Sequence, residues 1–174
     1  PVSLKVSDQI MDKMNFKHYM LKEIYDQPET AKNWLKNYLI KNLESGQYQI
    51  NYPFDTKFFE SIERIEIIAC GTSKHAAMVG KFLLEQFSGI PTNVFYASEF
   101  RYSPPPLLPN TLTIGVTQSG ETADTIAAID MEIKRRSSIE DKTFKPNLIE
   151  LTNRQESCRG RQISNIIDIC AGIE

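Results

Sequence analysis

Ile65-Glu66-Ile67-Ile68-Ala69-Cys70-Gly71-Thr72-Ser73 is the stretch on which the fold turns. Six apolar-dominated, β-branched residues run into a glycine and then into small hydroxyl residues. A run of that kind, too short for a helix, reads as a strand over Ile65–Cys70 covered on both faces. The next segment, Thr72–Ser88, sets Ala76, Val79, Leu83 and Phe87 on one helical face, and Gly89 and Pro91 stop it. A strand followed by a helix then recurs downstream. Val94–Ala97 and Thr111–Val116 read as strands, Thr122–Arg136 as a helix through Ile126, Ile129 and Ile133, and Leu148–Leu151 and Ile166–Cys170 as the last strands. Tyr102-Ser103-Pro104-Pro105-Pro106 can only be a stiff loop, and Ser137–Lys145 is a polar, exposed connection. Alternation of this kind predicts a layered α/β domain of about five strands, a doubly wound parallel sheet with helices on both faces.

Upstream the pattern is helical. Phe16, Met20 and Ile24 recur every four residues in a helix expected to stop before Pro28. A second helix is expected from Pro28, with Ala31, Trp34, Leu35, Tyr38 and Leu39 as its buried stripe and Ser45-Gly46 as its end. The expected organisation is therefore a linker over 1–14, a helical preface over 15–46 and the α/β domain over 47–174. Both ends of the sequence look cut, and the domain is expected to be truncated at its C-terminal end.

Composition narrows the class without naming it. The 174 residues are 41% hydrophobic, near the polar edge of the globular range, and suffice for a core without metal or disulfide staples. Twenty basic against 22 acidic residues give a net charge of −2, which supplies no general attraction to nucleic acid or anionic membrane. No apolar run approaches a membrane span, and no secretory leader is recognisable. Cys70, Cys158 and Cys170 form no CxxC pair, and His18 and His75 are too few for most metal sites. No metal or cofactor is expected, and a reducing cytoplasm is.

In doubly wound sheets ligands bind beyond the carboxyl ends of strands, where loops enter helix N-termini. Cys70-Gly71-Thr72-Ser73 and Thr117-Gln118-Ser119-Gly120-Glu121-Thr122 are the two loops that qualify. In the second, Gly120 permits a positive φ, and Thr117, Ser119 and Thr122 bring three hydroxyls to a helix start. Such a turn can hold a phosphate without an adjacent Lys or Arg. Ser and Thr at that place also serve as ordinary N-caps, and composition alone leaves the two readings level. Neither GxxxxGK[ST] nor GxGxxG occurs, so nucleotide-binding loops gain no support. Cys70 has no evident base and reads as structural. His75 reads as helix-flank packing, and Glu99 and Arg101 as a solvated loop, with a site rim or interface as the alternative. Lys134-Arg135-Arg136 reads as a basic helix end facing the helix dipole.

These residues also carry a resemblance. Phe16–Pro28, Ile68–Ser73, Ala97–Tyr102, Gln118–Thr125 and the closing Ala171-Gly172-Ile173-Glu174 resemble, in order, the isomerase half of the glutamine–fructose-6-phosphate aminotransferase (glucosamine-6-phosphate synthase) family, at its first sugar-isomerase (SIS) domain. The Ser-Gly-Glu-Thr element alone would indicate only an SIS domain. The resemblance implies an SIS fold, a five-stranded parallel sheet in a three-layer, flavodoxin-like αβα sandwich. It implies too that Ser73, Thr117, Gln118, Ser119 and Thr122 bind the phosphate of fructose 6-phosphate and that Cys70, Gly71 and Thr72 line the sugar. Thr117 stands where many relatives have Ser, and Lys74 where an aromatic is common. The match weakens around Arg154-Gln155-Glu156 and Ser164. The family's glutaminase domain and second SIS domain, with its catalytic residues, lie outside this stretch. No catalytic residue is therefore expected here, and the chain should bind without turning over, within a parent expected to be a homodimer. A sugar-phosphate sensor module of a regulator and a stand-alone sugar-phosphate isomerase are the competing readings.

Overall fold

A computed structural model describes residues 15–52, 54–153 and 165–171. The expected linker over 1–14, Cys158, the Arg154–Glu156 and Ser164 region, and Gly172–Glu174 lie outside the described residues. The chain divides into two compact units, one of residues up to Asn51 together with Cys170 and Ala171, the other Tyr52–Ile169.

The smaller unit departs from the two expected helices. One helix, α1 (Tyr19–Tyr38), runs through Pro28. Pro28 has no N–H to donate, so one helical hydrogen bond is missing there. Ion pairs Lys22–Asp26 before it and Lys32–Glu29 after it lie on the turns either side. None of its residues is buried, so the Trp34/Leu35 stripe is not a core within this unit. The chain then forms a hairpin, β1 (Leu39–Lys41) antiparallel to β2 (Tyr48–Ile50). Ser45-Gly46 belongs to its turn and not to a helix end. Asn42 Oδ1 accepts from the N–H groups of Glu44 and Ser45, and Gly46 adopts φ +69°.

The larger unit is the expected sandwich. Strands β3 (Arg64–Ala69), β4 (Thr92–Tyr96), β5 (Thr111–Thr117), β6 (Asn147–Thr152) and β7 (Ile166–Asp168) form one parallel sheet in the order β4-β3-β5-β6-β7. Helix α2 (Gly71–Ser88) packs on the face carrying Ile65, Ile67 and Leu112, through Ala77 and Leu84. Helices α3 (Ala97–Tyr102) and α4 (Ala123–Ser137) take the other face, where Ile68 meets Ala97, Phe100 and Ala128. Gly115 on β5 lets α4 come close, since a Cβ there would lie 2.3 Å from Cδ1 of Ile129.

Three expectations change in detail. The α2 stripe of Ala76, Val79, Leu83 and Phe87 is its solvent side in this unit, with Phe87 80% exposed, while Ala77 and Leu84 pack toward the sheet. Residues 97–102 form a short helix where a loop was expected, because Ala97 and Phe100, three apart, both enter the core. A six-residue helix is too short to show a period. The third is Arg136, expected to serve a basic helix end facing the helix dipole and in fact buried at 1% exposure among partners from other segments. Its Nε donates to Glu132 Oε1 at 2.7 Å, its Nη1 to the Leu108 carbonyl at 3.1 Å, and its Nη2 lies 4.0 Å from Glu66 Oε2. Arg135 bonds the other Glu132 oxygen and the Pro105 carbonyl, so α4 holds the proline loop by charge.

Glu66 is nearly buried on β3, and its pKa is raised, first by burial and then by the neighbouring Glu132 carboxylate, against the opposing Arg136, Arg135 and Arg64 charges. The unfolded chain therefore releases this proton at lower pH than the folded one. Stability from the protonated group is complete below the ordinary carboxylate value and is lost as pH rises through the folded pKa. Glu66→Gln should raise the urea midpoint at neutral pH, and the gain should disappear in acid. An unchanged difference across that range would contradict it.

Candidate functional site

Register builds the site. Ala69 of β3 lies beside Val116 of β5, so the turns that follow these two strands are neighbours at the carboxyl edge of the sheet. The helices leaving them go to opposite faces, which makes the gap between β3 and β5 the topological switch point where such sheets open a crevice.

At the first turn Cys70 is extended (φ −120°, ψ 160°) and Gly71 takes φ +53°, a value L side chains rarely adopt. Gly71 and Thr72 are exposed and Ser73 half-buried. Cys70 places no side-chain cap on α2, and it packs against Ile68, Ala97 and Phe100 as a structural residue would. His75 is exposed on the same helical turn. Lys74 leaves the N-terminus sideways, its Nζ 3.6 Å from the centroid of Tyr96 at the end of β4.

At the second turn the hydroxyls are not used as ordinary caps. Thr122 is the N-cap residue of α4, yet its side chain makes no capping bond. Its Oγ1 lies 3.0 Å from Oγ1 of Thr117 instead. Thr117 is buried at 1% exposure, so its hydroxyl acts on Thr122 and is not itself presented to solvent. Helix geometry leaves the N–H groups of Ala123, Asp124 and Thr125 without an intrahelical acceptor. Ser119 Oγ accepts from Glu121 N–H at 3.2 Å, and the Gln118 carbonyl accepts from Asn153 N–H at 3.0 Å. Both side chains remain half-buried, and Gly120 is buried at φ +66°. Of the eight residues singled out from sequence, Ser73, Gln118, Ser119 and Thr122 stand partly accessible at the two turns, Gly71 and Thr72 stand open, Cys70 is half-buried, and Thr117 lies beneath.

What sequence reading left as a solvated loop adds a charge. Arg101 on α3 places Nη1 3.3 Å from Oδ1 of Asp124, in the first turn of α4. The signal was present in the Glu99–Tyr102 alternation, but no local pattern tells that it folds back over another helix. Among the described residues no group of three or more His, Cys, Asp or Glu could hold a metal ion, and no helix is long and apolar enough to cross a membrane.

The parallel sheet and its strand order agree with the family match: the chain belongs to the SIS domain family, whose match spans residues 58–173. Over its whole length it is 53% identical to the glutamine–fructose-6-phosphate aminotransferase (isomerizing) of Thermosynechococcus vestitus and 48% identical to that of a Synechocystis species. It spans 28% of the length of each of these relatives. The structure of the C-terminal domain of glucosamine-fructose-6-phosphate aminotransferase from Francisella tularensis superposes with a TM-score of 0.79 at 32% identity, over 94% of this chain and 42% of that one. Glucosamine-6-phosphate deaminase from Thermotoga maritima shares the fold at 20% identity and a TM-score of 0.60, over 86% of this chain and 39% of that one. The family resemblance read from the residues therefore holds.

Proposed function

We propose that this chain is a cytoplasmic sugar-phosphate-binding domain of a glutamine–fructose-6-phosphate aminotransferase, and that its ligand is fructose 6-phosphate or the product glucosamine 6-phosphate. The phosphate sits over the start of α4, taking hydrogen bonds from Ser119, Gln118, Thr122 and Ser73. The Thr117 hydroxyl, 3.0 Å from that of Thr122, fixes the Thr122 side chain at the turn. Cys70, Gly71 and Thr72 border the sugar. The parent enzyme takes ammonia from glutamine, aminates fructose 6-phosphate and isomerises the product. Its acid–base groups lie in a second SIS domain, its cysteine nucleophile in a glutaminase domain, and it works as a homodimer. This stretch binds and does not turn over.

The observation that carries the reading is the uncapped N-terminus of α4, whose cap residue spends its hydroxyl on Thr117. A dianion gains from oriented amides and from the positive end of the helix dipole at once. Hydrogen bonds to a charged group contribute roughly 1.5–3 kcal/mol each, and four or five, after the cost of association, correspond to micromolar to millimolar affinity.

Thermal-shift titration with fructose 6-phosphate tests it, because a ligand of the folded state stabilises by RT ln(1 + [L]/Kd). Ser119→Ala and Thr122→Ala should each lose about 1–3 kcal/mol of binding while the ligand-free melting temperature hardly moves. A folded wild-type sample that shows no shift at tens of millimolar ligand overturns the reading.

A further inference from the structure

Asp124 poses an electrostatic problem for the site proposed above. An acidic residue in the first turn of a helix is favourable for the helix itself. It also sets a full negative charge beside the amides that are to receive a dianion, where like charges repel across a few ångströms. The answer is on α3. Arg101 reaches the Asp124 carboxylate at 3.3 Å, and its backbone is held in place because its neighbour Phe100 is buried at 1% exposure, with its ring 5.3 Å from that of Phe95. The Arg101 guanidinium also lies 5.4 Å from the Tyr102 ring centre. Both members of the pair are more than 40% exposed, so the pair contributes little to folding. Its effect falls on the field at the start of α4.

We infer that Arg101 is a positioning residue for phosphate binding: by pairing with Asp124 it cancels the negative charge that would otherwise oppose a phosphate ester at the N-terminus of α4. It acts through Asp124 and does not touch the ligand. The inference rests on the phosphate reading of this turn, and it explains how a loop without a cation of its own tolerates an acid two residues past its cap.

A double-mutant cycle on the 174-residue chain tests it, with fructose 6-phosphate and inorganic phosphate as probes at low and high salt. Arg101→Gln should weaken both probes about three- to tenfold at low salt, and less at high salt, where screening shortens the reach of the exposed Asp124 charge. Arg101→Lys should keep most of the affinity. Asp124→Asn added to Arg101→Gln should restore it to within about twofold, with ligand-free melting temperatures alike in all variants. Wild-type affinity in Arg101→Gln overturns the inference. So does a double variant as weak as Arg101→Gln, which would mean that Arg101 contacts the ligand directly. Failure of the wild-type chain to bind either probe removes the site itself, an outcome visible before any variant is made.

Discussion

Arg136→Met should cost roughly 3–5 kcal/mol, the range found when one partner of a buried ion pair is removed. Total stabilities of domains this size are about 5–15 kcal/mol, so the variant should lose a large fraction of its stability and melt well below wild type. The side chain that replaces it fills a similar volume, so little of the loss comes from a cavity. The loss comes from Glu132 and Glu66, both nearly buried, which face each other without the guanidinium between them. It comes also from the Leu108 carbonyl, which loses its donor. Two features separate this account from a simple packing defect. The deficit in urea midpoint should shrink in acid, where the carboxylates protonate, and Glu66→Gln with Glu132→Gln in the same chain should recover most of it. A deficit that is constant with pH and is not rescued would refute the electrostatic account.

Phe100→Ala should cost a similar amount, about 3–5 kcal/mol, by removing a fully buried ring from a close-packed cluster. The cluster joins Ile68 of the sheet, Ala97 of α3 and Ala128 of α4, with Phe95 and Cys70 at its edge. Because Phe100 is what pins the six-residue α3, its loss should also let Arg101 leave Asp124. Weaker phosphate binding should therefore accompany the lower melting temperature in this variant. Phe100→Leu keeps most of the apolar volume and should restore much of both. A Phe100→Ala chain that melts like wild type would show that α3 is held in some other way.

How much of this was legible beforehand differs by element, for physical reasons. Strands β3, β5 and β6 are covered on both faces, and their apolar runs read directly. Helix α4 was found from Ile126, Ile129 and Ile133, but three of its five buried residues are the polar Thr125, Glu132 and Arg136, the last of which also reaches Leu108 and Glu66 from distant segments. Those cannot be read from hydropathy. In α2 apolar residues surround the helix, so the sequence contains two candidate core faces and the more bulky one was chosen. The hairpin after α1 was missed because Ser45-Gly46 serves a turn as well as a helix end, and because Pro28, read as punctuation, sits inside one continuous helix. At the site, the two hydroxyl-rich turns were identified from local residues. What the sequence did not contain was which hydroxyl faces inward: the Thr117–Thr122 contact depends on a strand end meeting a helix cap five residues later.

The all-parallel order of the sheet bears on how the domain is made. Neighbouring strands here are never joined by a tight turn, and β3, near the start of the larger unit, must wait for β5 before its second edge is paired. Loop closure has to precede any return from pairing, which slows such topologies relative to hairpin-rich or helical ones. As the larger unit is synthesised, β3, α2 and β4 precede β5, so one flank of β3 stays open until β5 arrives to pair with it.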